Sequence, residues 1–122
     1  MITLEATNFL NKLLNLPFKG HEQDWAVEMG NPYRIKEFIE IYKTKDLTND
    51  QRYALVSLII ASYDDLLNNK IDGADLWKDI RQILLSDKEL FKDILDYWAL
   101  GDETEKEYLF EITPLIRNII TK

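Results

Sequence analysis

The chain has 122 residues, 46% hydrophobic and 30% charged, with 15 Lys and Arg against 22 Asp and Glu and a formal net charge of -7. That length suits a single domain spanning residues 1–122 with a core of its own, and the composition is globular, not disordered. With no cysteine present, disulfides, thiolate metal sites, iron–sulfur clusters and cysteine nucleophiles are excluded together.

Helical periodicity recurs along almost the whole chain, and strict alternation is nearly absent, so the expected class is all-α, with about six helices. The first helix is predicted over about residues 3–15, burying Ala6, Phe9, Leu10, Leu13 and Leu14 before Pro17 stops it. Glu5 precedes Lys12, and neither the basic start nor the small-residue cleavage site of a secretory signal is present. Residues 17–30 carry no clear helix; Trp25, Val27 and Met29 alternate with Asp24, Ala26 and Glu28, which predicts that part of the segment runs extended, as a surface crossover pinned by Trp25 in preference to a binding loop.

Asn31 followed by Pro32 is a cap-then-proline start for a helix burying Ile35, Phe38, Ile39 and Tyr42. Thr48 and Gln51 form a capping box for a helix reaching about Leu67. Its stretch Tyr53 to Ala61 is apolar on nearly every side and belongs at the centre of a bundle, yet it falls far short of the ~20 residues that cross a bilayer. Asp72 is the expected cap of the next helix, whose inward stripe is Leu76, Trp77, Ile80, Ile83 and Leu84. Ser86 with Glu89 reads as a second capping box, and Leu85 with Leu90 as a hydrophobic staple, so these two helices are expected to fold back as a hairpin. In the fifth helix Leu90, Phe91, Ile94, Leu95 and Trp98 face inward, and Gly101 ends it. Thr113 and Pro114 start a last helix burying Leu115, Ile116, Ile119 and Ile120. Either a compact bundle or a short solenoid-like stack fits this order.

Catalytic patterns are sparse. His21 is the single histidine and lies in a loop, and the four glycines are isolated, so no phosphate-binding loop is present. Asp46, Thr48 and Asp50 resemble the start of a calcium loop, but Gln51 stands where a glycine is needed and Ser57 where a glutamate is needed. Asp72, Asp75 and Asp79 suit a solvated, dipole-favoured helix start better than a divalent site. Asp64 and Asp65 end the most apolar helix and point about a hundred degrees apart, which fits a structural hydrogen bond better than a catalytic dyad. No cofactor or metal is expected, and the reading is non-enzymatic.

Charge is uneven. Residues 1–60 hold eight acids and seven bases, whereas residues 61–122 hold fourteen acids and eight bases. Most of the excess lies between Asp93 and Glu111, where Asp93, Asp96, Asp102, Glu103, Glu105, Glu107 and Glu111 face the single cation Lys106. Bases scattered singly among acids do not suit nucleic acid. Acids interleaved with Tyr97, Trp98, Tyr108 and Phe110 suit docking onto a basic protein, because charge speeds encounter and rings supply contact area. The candidate partner-binding residues are therefore Asp93, Asp96, Asp102, Glu103, Glu105 and Glu107 for steering, with Tyr97 and Tyr108 as anchors. The competing account is a hydrated loop whose acids maintain solubility, with Trp98 and Phe110 as core anchors.

The segments Leu58 to Asp65 and Ile112 to Arg117, the Tyr97-Trp98 pair, the small size, the acidity and the absence of cysteine together resemble the small helical immunity proteins that bacteria make against their own polymorphic or contact-dependent growth inhibition toxins. The resemblance implies a cytoplasmic, stoichiometric inhibitor of a cognate toxin, often a basic nuclease, covering its active site or an exosite. It assigns a role to no individual residue. The alternative is a helical interaction or self-association module using the face of Trp25 and Met29 or part of the last helix. An enzyme built on Asp64 or Asp65 with His21 is a third.

Overall fold

Eleven consecutive residues, Ala54 to Asp64, are buried, and they belong to one helix around which the others gather. The computed structural model describes residues 1–121. Its helices in chain order are α1 (Leu4–Leu13), α2 (Trp25–Met29), α3 (Ile35–Thr44), α4 (Asn49–Asn68), α5 (Ala74–Ser86), α6 (Lys92–Ala99) and α7 (Thr113–Ile120), with a 3-10 turn at Lys106–Tyr108. The protein is all-α, as its periodicity predicts. Helices α1, α2 and α3 pack on α4, α5 packs on α3, and α6 packs on α7. The architecture is thus a bundle around α4. No helix among the described residues is long and apolar enough to cross a membrane.

The predicted capping box opens α4: Gln51 N donates to Thr48 Oγ1 at 3.2 Å, and Thr48 N donates to Gln51 Oε1 at 3.0 Å. Along the helix, Leu55, Leu58, Ile59 and Ile60 are fully enclosed, each contributing roughly 1.5–3 kcal/mol of burial relative to exposure. Three adjacent polar side chains then reach different neighbours. Ser62 Oγ accepts from Asn31 N at 2.9 Å, Tyr63 Oη donates to Gly73 O at 2.9 Å, and Asp64 Oδ1 accepts from Ile112 N at 2.9 Å. The chain is fastened at the approaches to α3, α5 and α7 by one turn of the central helix. Gly73 is tight for the same reason: a Cβ there would overlap Leu66 Cδ2 and come within 3.0 Å of Tyr63 Cε1.

Several expected boundaries shift. Residues 25–29 are helical, not extended, and the buried set is Trp25, Ala26 and Met29, with Val27 exposed. Apparent alternation loses to a single turn whose i, i+1 and i+4 positions meet the core, fixed by Trp25 Nε1 donating to Asn11 Oδ1 at 2.8 Å. Accordingly, the inward face of α1 rotates from Phe9, which is exposed, toward Thr7 and Asn11. Asn31 Oδ1 accepts from Tyr33 N in a turn, and α3 begins only at Ile35. Asp72 accepts from Ala74 N at 3.2 Å, but Gly73 is the residue at the cap of α5.

The second capping box does not form. Ser86 stays in the last turn of α5 with its hydroxyl donating to Ile83 O, while Asp87, one place later, accepts from Leu90 N at 3.1 Å. Leu85 is exposed, so no staple closes, and α6 starts at Lys92, packing on α7 in place of the expected hairpin with α5. Leu100, not Gly101, takes the left-handed conformation after α6, with φ 47°. Thr113 does not cap α7; its hydroxyl donates to Trp98 O at 2.8 Å, and Ile120 is exposed.

Burial raises the Asp64 carboxyl above the usual range, against the lowering effect of the Ile112 N–H. A raised native value means that the folded protein holds the proton more readily than the unfolded chain, so this group lowers stability as pH climbs from about 3.9 through its native value. Asp64→Asn keeps the acceptor and loses the charge; its urea midpoint should fall less than the parent's across that window. Asp64→Ala strands the Ile112 N–H and should be about 1–3 kcal/mol less stable than Asp64→Asn. Gly73→Ala should cost about 1–3 kcal/mol by overpacking, read from the same denaturation curves.

Candidate functional site

Helix α6 turns Ile94, Leu95 and Trp98 into the core, and the remaining positions leave Asp93, Asp96 and Tyr97 exposed. Tyr97 is not loose. Its ring stacks on Phe110 with centroids 5.8 Å apart and planes 27° apart, and meets Trp98 edge-on at 5.3 Å. Trp98 and Phe110 are themselves 4.5 Å apart, so three rings form a fixed platform. Tyr97 remains 53% exposed, which gives it area to offer at little entropic cost.

Beside this platform lies a groove of about 280 Å³, walled by the N-terminal side of α2, by Tyr53 and Ser57 of α4, and by Asp93, Ile94, Tyr97 and Trp98 of α6. Asp24 and Asp93 both line it, two acidic residues from separate elements. The Tyr53 hydroxyl is held above the usual phenol range by burial first and by the nearby charge of Asp93 second. Asp96 faces elsewhere, pairing with Lys92 at 2.7 Å one turn back and lining a second hollow with Lys88 and Ile120. An exposed i, i+4 pair of this kind contributes only about 0.3–0.5 kcal/mol.

The other predicted acids follow in the connection between α6 and α7. Asp102, Glu105 and Glu107 are exposed, and Tyr108 stands 64% exposed on the 3-10 turn. Glu103 is half-buried, and its carboxylate accepts from Thr104 N at 3.1 Å. The segment is anchored by Arg117 of α7, whose guanidinium donates to Ala99 O at 2.7 Å, Leu100 O at 2.6 Å and Glu103 O at 2.9 Å. The orphan carbonyls at the end of α6 are thereby satisfied by a cation, where the helix dipole favours one.

The structure thus brings Asp93 and Tyr97 together at the groove, sets Asp96 apart against Lys92, and carries the remaining acids on a pinned loop. Sequence reasoning missed three contributors: Asp24, Tyr53 and Arg117. A five-residue helix is too short to show a period, and a lone arginine in a short helix gives no sign of the carbonyls it will meet. Trp25 and Met29, each 7% exposed, are core residues, so the face expected for an interaction module is closed. His21 is exposed, and Asp64 is engaged by Ile112 and Asn68. Among the described residues no group of three or more His, Asp or Glu is placed to hold a metal ion.

Fold and site define an all-helical domain with an acidic, aromatic-lined groove and an anchored acidic loop. No protein-family model, curated protein or solved structure matches the chain.

Arg117→Met retains the stem and removes all three donors. Amide exchange over residues 100–109 should accelerate well beyond the change in α4, and global stability should fall by about 1.5–3 kcal/mol, as for hydrogen bonds made by a charged group.

Proposed function

We propose that the protein is a cytoplasmic immunity protein that binds and neutralises a cognate bacterial toxin, a basic nuclease, through the face built by α6 and the α6–α7 connection. One observation carries this reading: acids that contribute nothing evident to folding are displayed around a rigid aromatic platform. Asp93, Asp102, Glu105 and Glu107 form no ion pair among the described residues, whose three ion pairs are Arg34–Glu37, Lys43–Asp79 and Lys92–Asp96. Their mutual repulsion is relieved by no direct ion pair, Lys92 acting on Asp93 only at longer range, and a basic partner supplies the compensation. Tyr97 and Tyr108 provide exposed phenol rings of the kind that dominate binding energy at interfaces. The scaffold beneath does not need to move, since Arg117 and the Tyr97–Trp98–Phe110 stack hold it in place.

In such an inhibitor the acids act before contact and the rings after it. Long-range attraction raises the association rate by about 10- to 1,000-fold and fades with salt, because the screening length shortens to roughly 3 Å at 1 M. Desolvated aromatic contacts then slow dissociation.

The test uses the protein as bait in extract of the cell that makes it, beside a variant carrying Asp93→Lys, Glu105→Lys and Glu107→Lys. The parent should retain a basic toxin that high salt releases, and the variant should associate with it at least about tenfold more slowly, with a flatter salt dependence. Co-expression completes the measurement: the parent protects cells from that toxin and the variant does not. Equal capture and equal protection by both proteins would reject this surface as the site.

A further inference from the structure

We infer that the groove between α2, α4 and α6 receives an arginine side chain of the basic partner, its guanidinium lying against Tyr97 and bonding Asp93 and Asp24. This deepens the inhibitor reading and rests on it, by naming what the partner inserts. The wall chemistry selects the occupant. Ile94 and Trp98 give an apolar lining for a methylene stem, and Tyr97 offers a π face whose position is set by Phe110. Two acidic residues line it from separate elements, Asp24 ahead of α2 and Asp93 on α6. Among the described residues neither carboxylate accepts a hydrogen bond or joins an ion pair, and the Tyr53 hydroxyl beside them forms no hydrogen bond. No Lys, Arg or His lines the groove; the neighbouring Lys92 is taken by Asp96.

An anionic guest is repelled by the acids, and a neutral polar guest can donate to a carboxylate but leaves its charge unbalanced. A cation with an apolar stem satisfies all parts at once. Between the two basic side chains, guanidinium is planar, stacks on aromatic rings, bonds carboxylates in bidentate fashion and is more weakly hydrated than ammonium. The size agrees. At about 280 Å³ the groove lies at the low end of the roughly 300–1,000 Å³ usual for small-molecule sites, room enough for one long side chain. Its position, sharing Asp93 and Tyr97 with the proposed docking face, makes it continuous with that face.

The full chain can be tested without the partner by titrating isotope-labelled protein with agmatine, a guanidinium on a four-carbon stem that ends in an ammonium, and following amide and aromatic shifts. Saturable shifts confined to Tyr53, Asp93, Ile94, Tyr97 and Trp98 are expected, weakened about tenfold or more in Asp93→Asn and in Asp24→Asn. Tyr97→Leu, which keeps apolar area and removes the π face, should weaken agmatine more than it weakens 1,4-diaminobutane, the dication of the same stem with ammonium in place of guanidinium. Absence of saturation, shifts spread evenly over the acids of 102–107, or equal affinity for isoamyl alcohol would overturn the groove assignment. Any of these results leaves the inhibitor reading standing on the charge-reversal experiment, and failure of that experiment with agmatine bound in the groove would reject this face as the toxin's site while leaving a groove that binds guanidinium.

Discussion

Ser62, Tyr63 and Asp64 are the residues on which the arrangement of the bundle depends. They sit on one buried turn of α4 and point in successive directions about a hundred degrees apart, so each meets a different segment. Their hydrogen bonds to Asn31, Gly73 and Ile112 hold the approaches to three other helices. Each such bond adds only about 0.5–1.5 kcal/mol, but leaving any of these groups unpaired inside the core costs about 1–3 kcal/mol. Apolar burial makes the chain collapse; these three bonds decide which helix lies where.

Asp64 shows how stability and placement separate. Its carboxylate is costly to bury, and its proton affinity rises for that reason. Yet the same carboxylate accepts the N–H of Ile112 at the head of α7, and α7 in turn presents Arg117 to the end of α6. The candidate site is therefore supported from the core outward. Asp64 places α7, Arg117 of α7 anchors the acidic connection, and Thr113 of α7 takes the Trp98 carbonyl beneath the aromatic platform. Acids on this surface repel one another, and without that anchoring they would spread into a solvated loop. Held in place, they present a field of fixed shape, which is what charge-guided docking requires.

Much of the fold was legible because its signals were local or strongly periodic. The Thr48–Gln51 box, the all-round apolarity of Tyr53 to Ala61 and the inward Ile94, Leu95 and Trp98 of α6 are found where expected, whereas Leu90 and Phe91 fall before that helix. Short elements and exact starts were not. Residues 25–29 form a helix because Trp25 reaches Asn11 and Met29 reaches the core, partners remote in sequence. Ser86 caps nothing because α5 runs on through it, and Asp87 closes the turn that follows by accepting from Leu90 N, so α6 starts only at Lys92 without a side-chain cap. In the site, the acids and Tyr97 were visible as composition; the groove was not, since Asp24 and Tyr53 come from elements far apart in the chain.

The sequence by itself determined an acidic all-helical domain with a central apolar helix, and it localised the excess charge between Asp93 and Glu111. Those properties follow from side-chain type and short-range spacing, which do not depend on the path of the chain. Only the tertiary structure decided that Asp93 and Tyr97 share a groove with Asp24, that Asp96 turns away to Lys92, and that Arg117 pins the acidic connection. Each of these depends on how helices meet around α4, and that is set by buried hydrogen bonds between residues up to 48 positions apart.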